Sequence, residues 1–143
     1  QNNANSSLNG LLLEISPSEL KMTASDGHCL AQVHTPVYTL EESSKWLLPR
    51  RAVFEVKKIL ESSNDATIFL GLCGNQLVFS GESFNFFTKL LVDNFPAYAS
   101  ILDKKGFVPA RLERSHFIKT LRRSWCLLSG QFIATSFACP NSL

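Results

Sequence analysis

The chain contains no apolar run approaching the ~20 residues that a membrane-spanning helix needs, which excludes that class of membrane protein. Cys-x-x-Cys spacing is absent too. The four cysteines, Cys29, Cys73, Cys126 and Cys139, are scattered, and none stands in ligand spacing with His28, His34 or His116. Neither zinc nor any other metal or cofactor is therefore expected. Because they sit in apolar runs such as Leu72-Cys73 and Trp125-Cys126-Leu127, the cysteines read as reduced, buried small hydrophobes. There is no glycine-rich phosphate loop and no paired-carboxylate site, so no catalysis is implied. The chain opens on Gln1, and residues 1–7 lack the charged and apolar regions of a signal peptide. A fragment with a poorly ordered polar start is expected, in a cytoplasmic protein. Neither sign of charge dominates: 14 Lys and Arg against 12 Asp and Glu leave a net charge of +2.

What is present suits one soluble domain with a real core. The chain has 143 residues, 45% of them apolar and 18% charged, enough for one domain and not obviously for two complete ones. Its charge is unevenly spread. Nine of the fourteen Lys and Arg fall in two windows, residues 50–58 and 111–123.

Asp26-Gly27 lies between two alternating runs and predicts a hairpin with a type I′ turn, its strands covering residues 19–25 and 29–35. A strand is expected before it over 8–15, broken by Ser16-Pro17-Ser18, and Pro36 ends the hairpin. A short strand over 46–48 leads to Pro49 in the first turn of a helix that reaches about Ser62. On that helix Ala52, Val53, Val56, Ile59 and Leu60 form one stripe, and Arg50, Arg51, Lys57 and Lys58 fall opposite. Phe54 sits among the basic residues, outside the stripe.

Three strands follow, over 66–72, 76–80 and 83–92, separated by Gly74-Asn75 and Gly81-Glu82. The unit is therefore β-α-β-β-β. After a charged linker at 103–106, a strand over 107–112, a second helix over 115–129 stopped by Gly130, and a strand over 132–138 are expected. The second helix carries Phe117, Ile118, Leu121, Trp125 and Leu128 on one side. On the other are His116, Lys119, Arg122 and Arg123.

Ser25, Asp26 and His28 have the residue types of a hydrolase triad, but neighbours on a turn point to different faces and do not align. A basic face opposite an apolar stripe is ordinarily a solvated surface. Here the same sign recurs on two helices, and Glu55, Glu61 and Glu113 are too few to neutralise it, so the pattern suits sequence-blind attraction to phosphates.

The string from Ser25 to Leu30, Ser-Asp-Gly-His-Cys-Leu, follows Leu8-Asn-Gly10 and precedes Leu47-Leu-Pro-Arg50 and Phe95-Pro-Ala-Tyr98. In this order and spacing the motifs resemble the middle domain of the bacterial DNA polymerase beta sliding clamp. The resemblance implies an α+β DNA clamp fold, built of β-α-β-β-β repeats with antiparallel sheets and helices on one face. Residues 1–103 then correspond to the middle domain without its opening helix, and 104–143 to the start of the third domain. The implied function is non-enzymatic: a subunit of a homodimeric ring that encircles duplex DNA and tethers the polymerase.

By the same resemblance Arg50, Arg51, Lys57, Lys58, Lys119, Arg122 and Arg123 face the DNA. Leu8, Ser25, Gly27, His28, Leu30, Pro96 and Ile101 form a pocket for short motifs from the polymerase, the clamp loader and other partners. Core packing is the alternative for Leu8 and Leu30. Cys29 and Ser100 stand where the family has arginine, Asn5-Ser6-Ser7 stands for Arg-Tyr-Tyr, and the 90–95 segment is one residue short. Weaker peptide and DNA contacts, or a divergent paralogue, are expected from those losses. The alternative function is a clamp-like interaction module that neither closes a ring nor holds DNA.

Overall fold

The structure, a computed structural model, describes residues 6–36, 42–128, 136 and 138. These fall in two compact units, Gln1–Tyr98 and Ala99–Leu143.

The first unit opens with a short 3-10 turn at Ser6–Asn9 and then strand β1 (Gly10–Ile15), so the strand is shorter at its start than the apolar pattern suggests. Strands β2 (Glu19–Ser25), β3 (Leu30–Pro36) and β4 (Ser44–Pro49) complete an antiparallel sheet in the order β3-β2-β1-β4. Register runs Leu13 to Met22 on one side and Leu13 to Trp46 on the other. Strand β4 is longer than the expected 46–48 because Ser44 and Lys45 continue the ladder with Ile15 and Glu14.

The hairpin between β2 and β3 is where it was expected, but its loop has four residues rather than two. Ser25 pairs with Leu30, leaving residues 26–29 outside the ladder. Gly27 takes the positive φ, at 90°. Asp26 closes the loop with its side chain: Oδ1 accepts from the backbone N–H of His28 at 2.9 Å and of Cys29 at 2.7 Å. These two bonds hold the Asp26 carboxyl below its ordinary pKa.

Helix α1 (Arg50–Ser62) follows β4 directly. Pro49, expected inside the first turn, is instead the extended N-cap residue, with φ −61° and ψ 144°. Ser63 ends the helix, its N–H donating to the Ile59 carbonyl at 2.9 Å. Ala52 and Val56 are buried, Val53 and Ile59 partly so, and Leu60 at the edge of the stripe stays exposed. The helix leads into a second antiparallel sheet of β5 (Phe69–Cys73), β6 (Gln76–Ser80) and β7 (Asn85–Lys89), in that order. Both outer strands are shorter than the apolar pattern predicts, since each pairs with only the five residues of β6.

Leu13 and Ile15 of β1, Leu48 of β4, Val56 of α1, and Leu77 and Phe79 of β6 form one buried cluster. The two sheets and the helix therefore share a core, and burial of their apolar faces is the main stabilising term. The segment after β7 meets β4 and β1. Leu91 donates its N–H to the Leu47 carbonyl at 2.9 Å, and the Tyr98 hydroxyl bonds Glu14, which also meets Lys45 at 3.0 Å. Burial raises the Glu14 pKa, but Tyr98 and Lys45 outweigh it and leave the carboxyl below its ordinary value. Gly10 is required by this arrangement: a Cβ there would stand 2.7 Å from the Leu48 carbonyl oxygen and 2.9 Å from Leu91.

The second unit contains helix α2 (Arg114–Trp125), shorter than the expected 115–129 at its C-terminal end. Glu113 caps it, accepting from the N–H groups of Ser115 at 3.0 Å and His116 at 2.5 Å. No residue of α2 is fully buried: on its apolar side Phe117 and Ile118 are partly buried, while Trp125 is 75% exposed. The expected strand over 107–112 does not form. Phe107, Val108 and Leu112 are exposed and have no ladder among the described residues, and a strand needs a paired neighbour that local pattern cannot supply. Gly130, the start of the chain at 1–5, and most of the expected strand over 132–138 lie outside the described residues.

The expectation of buried cysteines fails at three positions. Cys29, Cys73 and Cys126 are all exposed. Cys29 lies in the hairpin loop, Cys73 ends an outer strand, and Cys126 follows the last turn of α2.

Candidate functional site

The N-terminal end of α1 approaches the Asp26–Gly27 end of the first sheet, and between them runs an open groove of about 490 Å³. Leu8, Leu11, Ala24 and Ala31 form its sheet wall, and Val53 and Phe54 its helix wall. Polar groups edge it: Ser25 at the end of β2, Asp26 and Cys29 on the loop, and Arg50 on the helix. Apolar walls with a few oriented polar groups are what a peptide side chain needs for affinity and for direction.

Of the residues expected to form a pocket, Leu8 and Ser25 line this groove. Gly27 sits at its edge, where a Cβ would be 3.6 Å from Leu8. His28 is exposed on the loop, Leu30 is partly buried at the start of β3, and Pro96 is exposed in the segment after β7, none of them lining the groove. Ile101 belongs to the second unit, and it is exposed. Sequence reasoning missed Val53 and Phe54 as walls and Cys29 as an edge. The available signal was Phe54, an aromatic ring outside the helix's apolar stripe.

The turn residues that have triad chemistry are engaged in closing the loop. The Ser25 hydroxyl donates to the Cys29 carbonyl at 2.8 Å and accepts from the Gly27 N–H at 3.1 Å, so it is not directed at His28.

All four basic residues of α1 are exposed. They are not equivalent. Lys57 lies 3.5 Å from Glu61 and Lys58 lies 3.5 Å from Glu55, whereas Arg50 and Arg51 have no acidic partner among the described residues. The Arg50 guanidinium stands 5.6 Å from the centre of the Phe54 ring. Both arginines occupy the first turn, which contains no acid, so they oppose the helix macrodipole at a cost of roughly 0.3–1 kcal/mol each. Stability does not account for cations there. Lys119, Arg122 and Arg123 are likewise exposed on α2, the two arginines in its last turn, where the macrodipole favours them. Among the described residues no helix is long and apolar enough to cross a membrane.

Two antiparallel sheets sharing a core with one helix, four strands before it and three after it, define an α+β domain of the sliding-clamp type. The family model for the DNA polymerase III beta subunit, central domain, matches residues 1–97. The chain belongs to that family, the bacterial beta sliding clamps of DNA replication. The beta sliding clamps of Proteus mirabilis and Escherichia coli K12 are each 32% identical over 97 residues, which is 68% of this chain and 26% of theirs.

The chain thus spans about a quarter of the length of the curated relatives it matches. Among solved structures, a putative DNA polymerase III beta subunit from Eubacterium rectale superposes with a TM-score of 0.76 at 21% identity, over 90% of this chain and 35% of that one. The sliding clamp of Bacillus subtilis gives 0.73 at 23%, over 92% and 34%. At those identities the likeness shows the fold. A Pseudomonas aeruginosa sliding clamp bound to griselimycin gives 0.63 at 22%, over 86% and 33%.

Proposed function

We propose that this chain is part of a sliding-clamp subunit that encircles duplex DNA and tethers a replicative polymerase and other proteins through an apolar groove. The observation that carries this reading is the match of residues 1–97 to the central domain of the DNA polymerase III beta subunit. On this reading residues 1–103 are the central domain and 104–143 open the next one; the compact units dividing after Tyr98 support that. Two such subunits close a homodimeric ring in a cytoplasmic protein without catalytic activity of its own.

DNA is held by charge. Arg50, Arg51, Lys57 and Lys58 on α1, with Lys119, Arg122 and Arg123 on α2, attract phosphates by counterion release and read no bases, so the duplex can move past them. The first-turn arginines are the strongest support, since they stand where the macrodipole disfavours them. A ring retains DNA by topology and so needs no tight grip. The whole protein is tested by loading it onto nicked circular duplex and then linearising the DNA. Retention at high salt on the circle, with release after cutting, is expected. Equal release from both forms would leave a clamp-like interaction module without a ring, the alternative reading.

Partners are proposed to dock beside the hairpin, in the groove that Leu8 and Ser25 line, with Gly27, His28, Leu30 and Pro96 as further contacts round it. The polymerase, the clamp loader and other proteins bearing clamp-binding motifs are the proposed occupants. The binding of griselimycin by the Pseudomonas aeruginosa clamp supports a ligand-accepting surface in the family. A fluorescent clamp-binding peptide measures it: His28→Ala and Pro96→Ala are each expected to weaken binding about tenfold, the scale of one lost side-chain contact. Unchanged affinity in both variants removes these two residues from the pocket.

A further inference from the structure

We propose that Phe54 is a stacking platform for an unpaired base, which makes the outer face of α1 a site for single-stranded nucleic acid. This rests on the reading of α1 as a helix that faces nucleic acid, and it goes further by naming a strand type that phosphate attraction alone does not select.

Phe54 follows Arg50 by four residues and Arg51 by three, and precedes Lys58 by four, so the helical repeat sets the ring in the middle of the cations. The ring is 53% exposed, while Ala52 and Val56 of the same helix are buried. It adds little to the core. Together with Arg50, Arg51, Glu55 and Lys58 it lines an open groove of about 540 Å³. Glu55 is held by Lys58 at 3.5 Å, and Arg50 and Arg51 have no acidic partner among the described residues. The surface round the ring is therefore cationic.

A duplex offers that surface phosphates but no base face, because its bases are stacked on one another. An unpaired strand offers both. Cations that track a backbone, with an aromatic ring on which a base stacks, are the two parts of a sequence-tolerant single-strand site. Arg50, already 5.6 Å from the ring centre, adds a cation–π component to the same stack. The ring also borders the apolar groove that begins at Leu8, so the competing occupant is an apolar peptide. Charge complementarity favours the polyanion: both unpaired arginines flank the ring.

The test measures binding of the full chain to a short labelled oligothymidylate, to a duplex of equal length and to an abasic oligomer, at low salt. Phe54→Leu keeps apolar bulk but removes the π face. It is expected to weaken oligothymidylate binding about tenfold, the scale of one lost stack, while duplex and abasic affinities change less than about twofold. Phe54→Trp is expected to restore oligothymidylate binding. The proposal is overturned if wild type binds the abasic oligomer as tightly as oligothymidylate, if leucine serves as well as tryptophan, or if single-strand and duplex binding fall together. It is equally overturned if Phe54→Leu loses only a clamp-binding peptide, which would assign the ring to the apolar groove. Failure of the clamp reading shows separately, as release from circular DNA.

Discussion

Replacing Leu13 by alanine is expected to lower the stability of the first compact unit by about 2–5 kcal/mol, a large share of the ~5–15 kcal/mol that holds a domain of this size together. Leu13 is 2% exposed and lies in β1, which pairs on both edges, so neither side chains nor backbone can close easily over the cavity. Its cluster joins β1, β4, α1 and β6. Loss of the side chain therefore loosens both sheets at once. Urea unfolding followed by the fluorescence of Trp46, the cross-strand partner of Leu13, reports the change directly. Val33→Ala is the control: that residue is 63% exposed in β3 and is expected to shift stability by less than about 0.5 kcal/mol. Equal effects from the two substitutions would mean that the shared core is not what holds the sheets.

Charge reversal on α1 is expected to produce the largest functional change. If all four cations contact phosphates, duplex affinity should fall about 100-fold between ~50 and ~200 mM salt, from a slope of about 0.9 per contact. Changing Arg50 and Arg51 together to glutamate should flatten that slope by about 2 and weaken binding at low salt by more than about tenfold. Changing Lys57 and Lys58 should do less, because Glu61 and Glu55 already lie 3.5 Å from them. The arginine pair separates binding from folding. Glutamate in the first turn of a helix is favoured by the macrodipole, so this variant should be at least as stable as wild type while it binds worse. Unchanged salt dependence in the double arginine variant would reject α1 as a DNA-facing surface.

How much of this was legible in the chain differs between elements. Helix α1 was read to within a residue because a 3.6-residue stripe, a preceding proline and a polar end are all local signals. The hairpin was read from Asp26-Gly27, yet the loop length was not. Whether two or four residues leave the ladder depends on which cross-strand pair closes it, and here Ser25 meets Leu30. The run over 107–112 has strand composition and forms no strand, since composition expresses a preference for a ladder and does not provide one. The cysteines show the same limit. Apolar neighbours in sequence suggest that Cys73 and Cys126 are interior, but one ends an outer strand and the other follows the end of α2, and both are exposed.

By itself the sequence determined the local elements and the family: periodicity places the stripe of α1, turn chemistry places the hairpin, and four short motifs in order carry the clamp resemblance. Only the tertiary structure decided the groove. Leu8 and Ser25 are readable as a pair beside the turn, but Arg50, Val53 and Phe54 join them because α1 packs on β1 and β4 and its start faces the hairpin end of the sheet across the groove. That approach is set by the common core that the two sheets and the helix bury together, a long-range packing solution that no local window of residues contains.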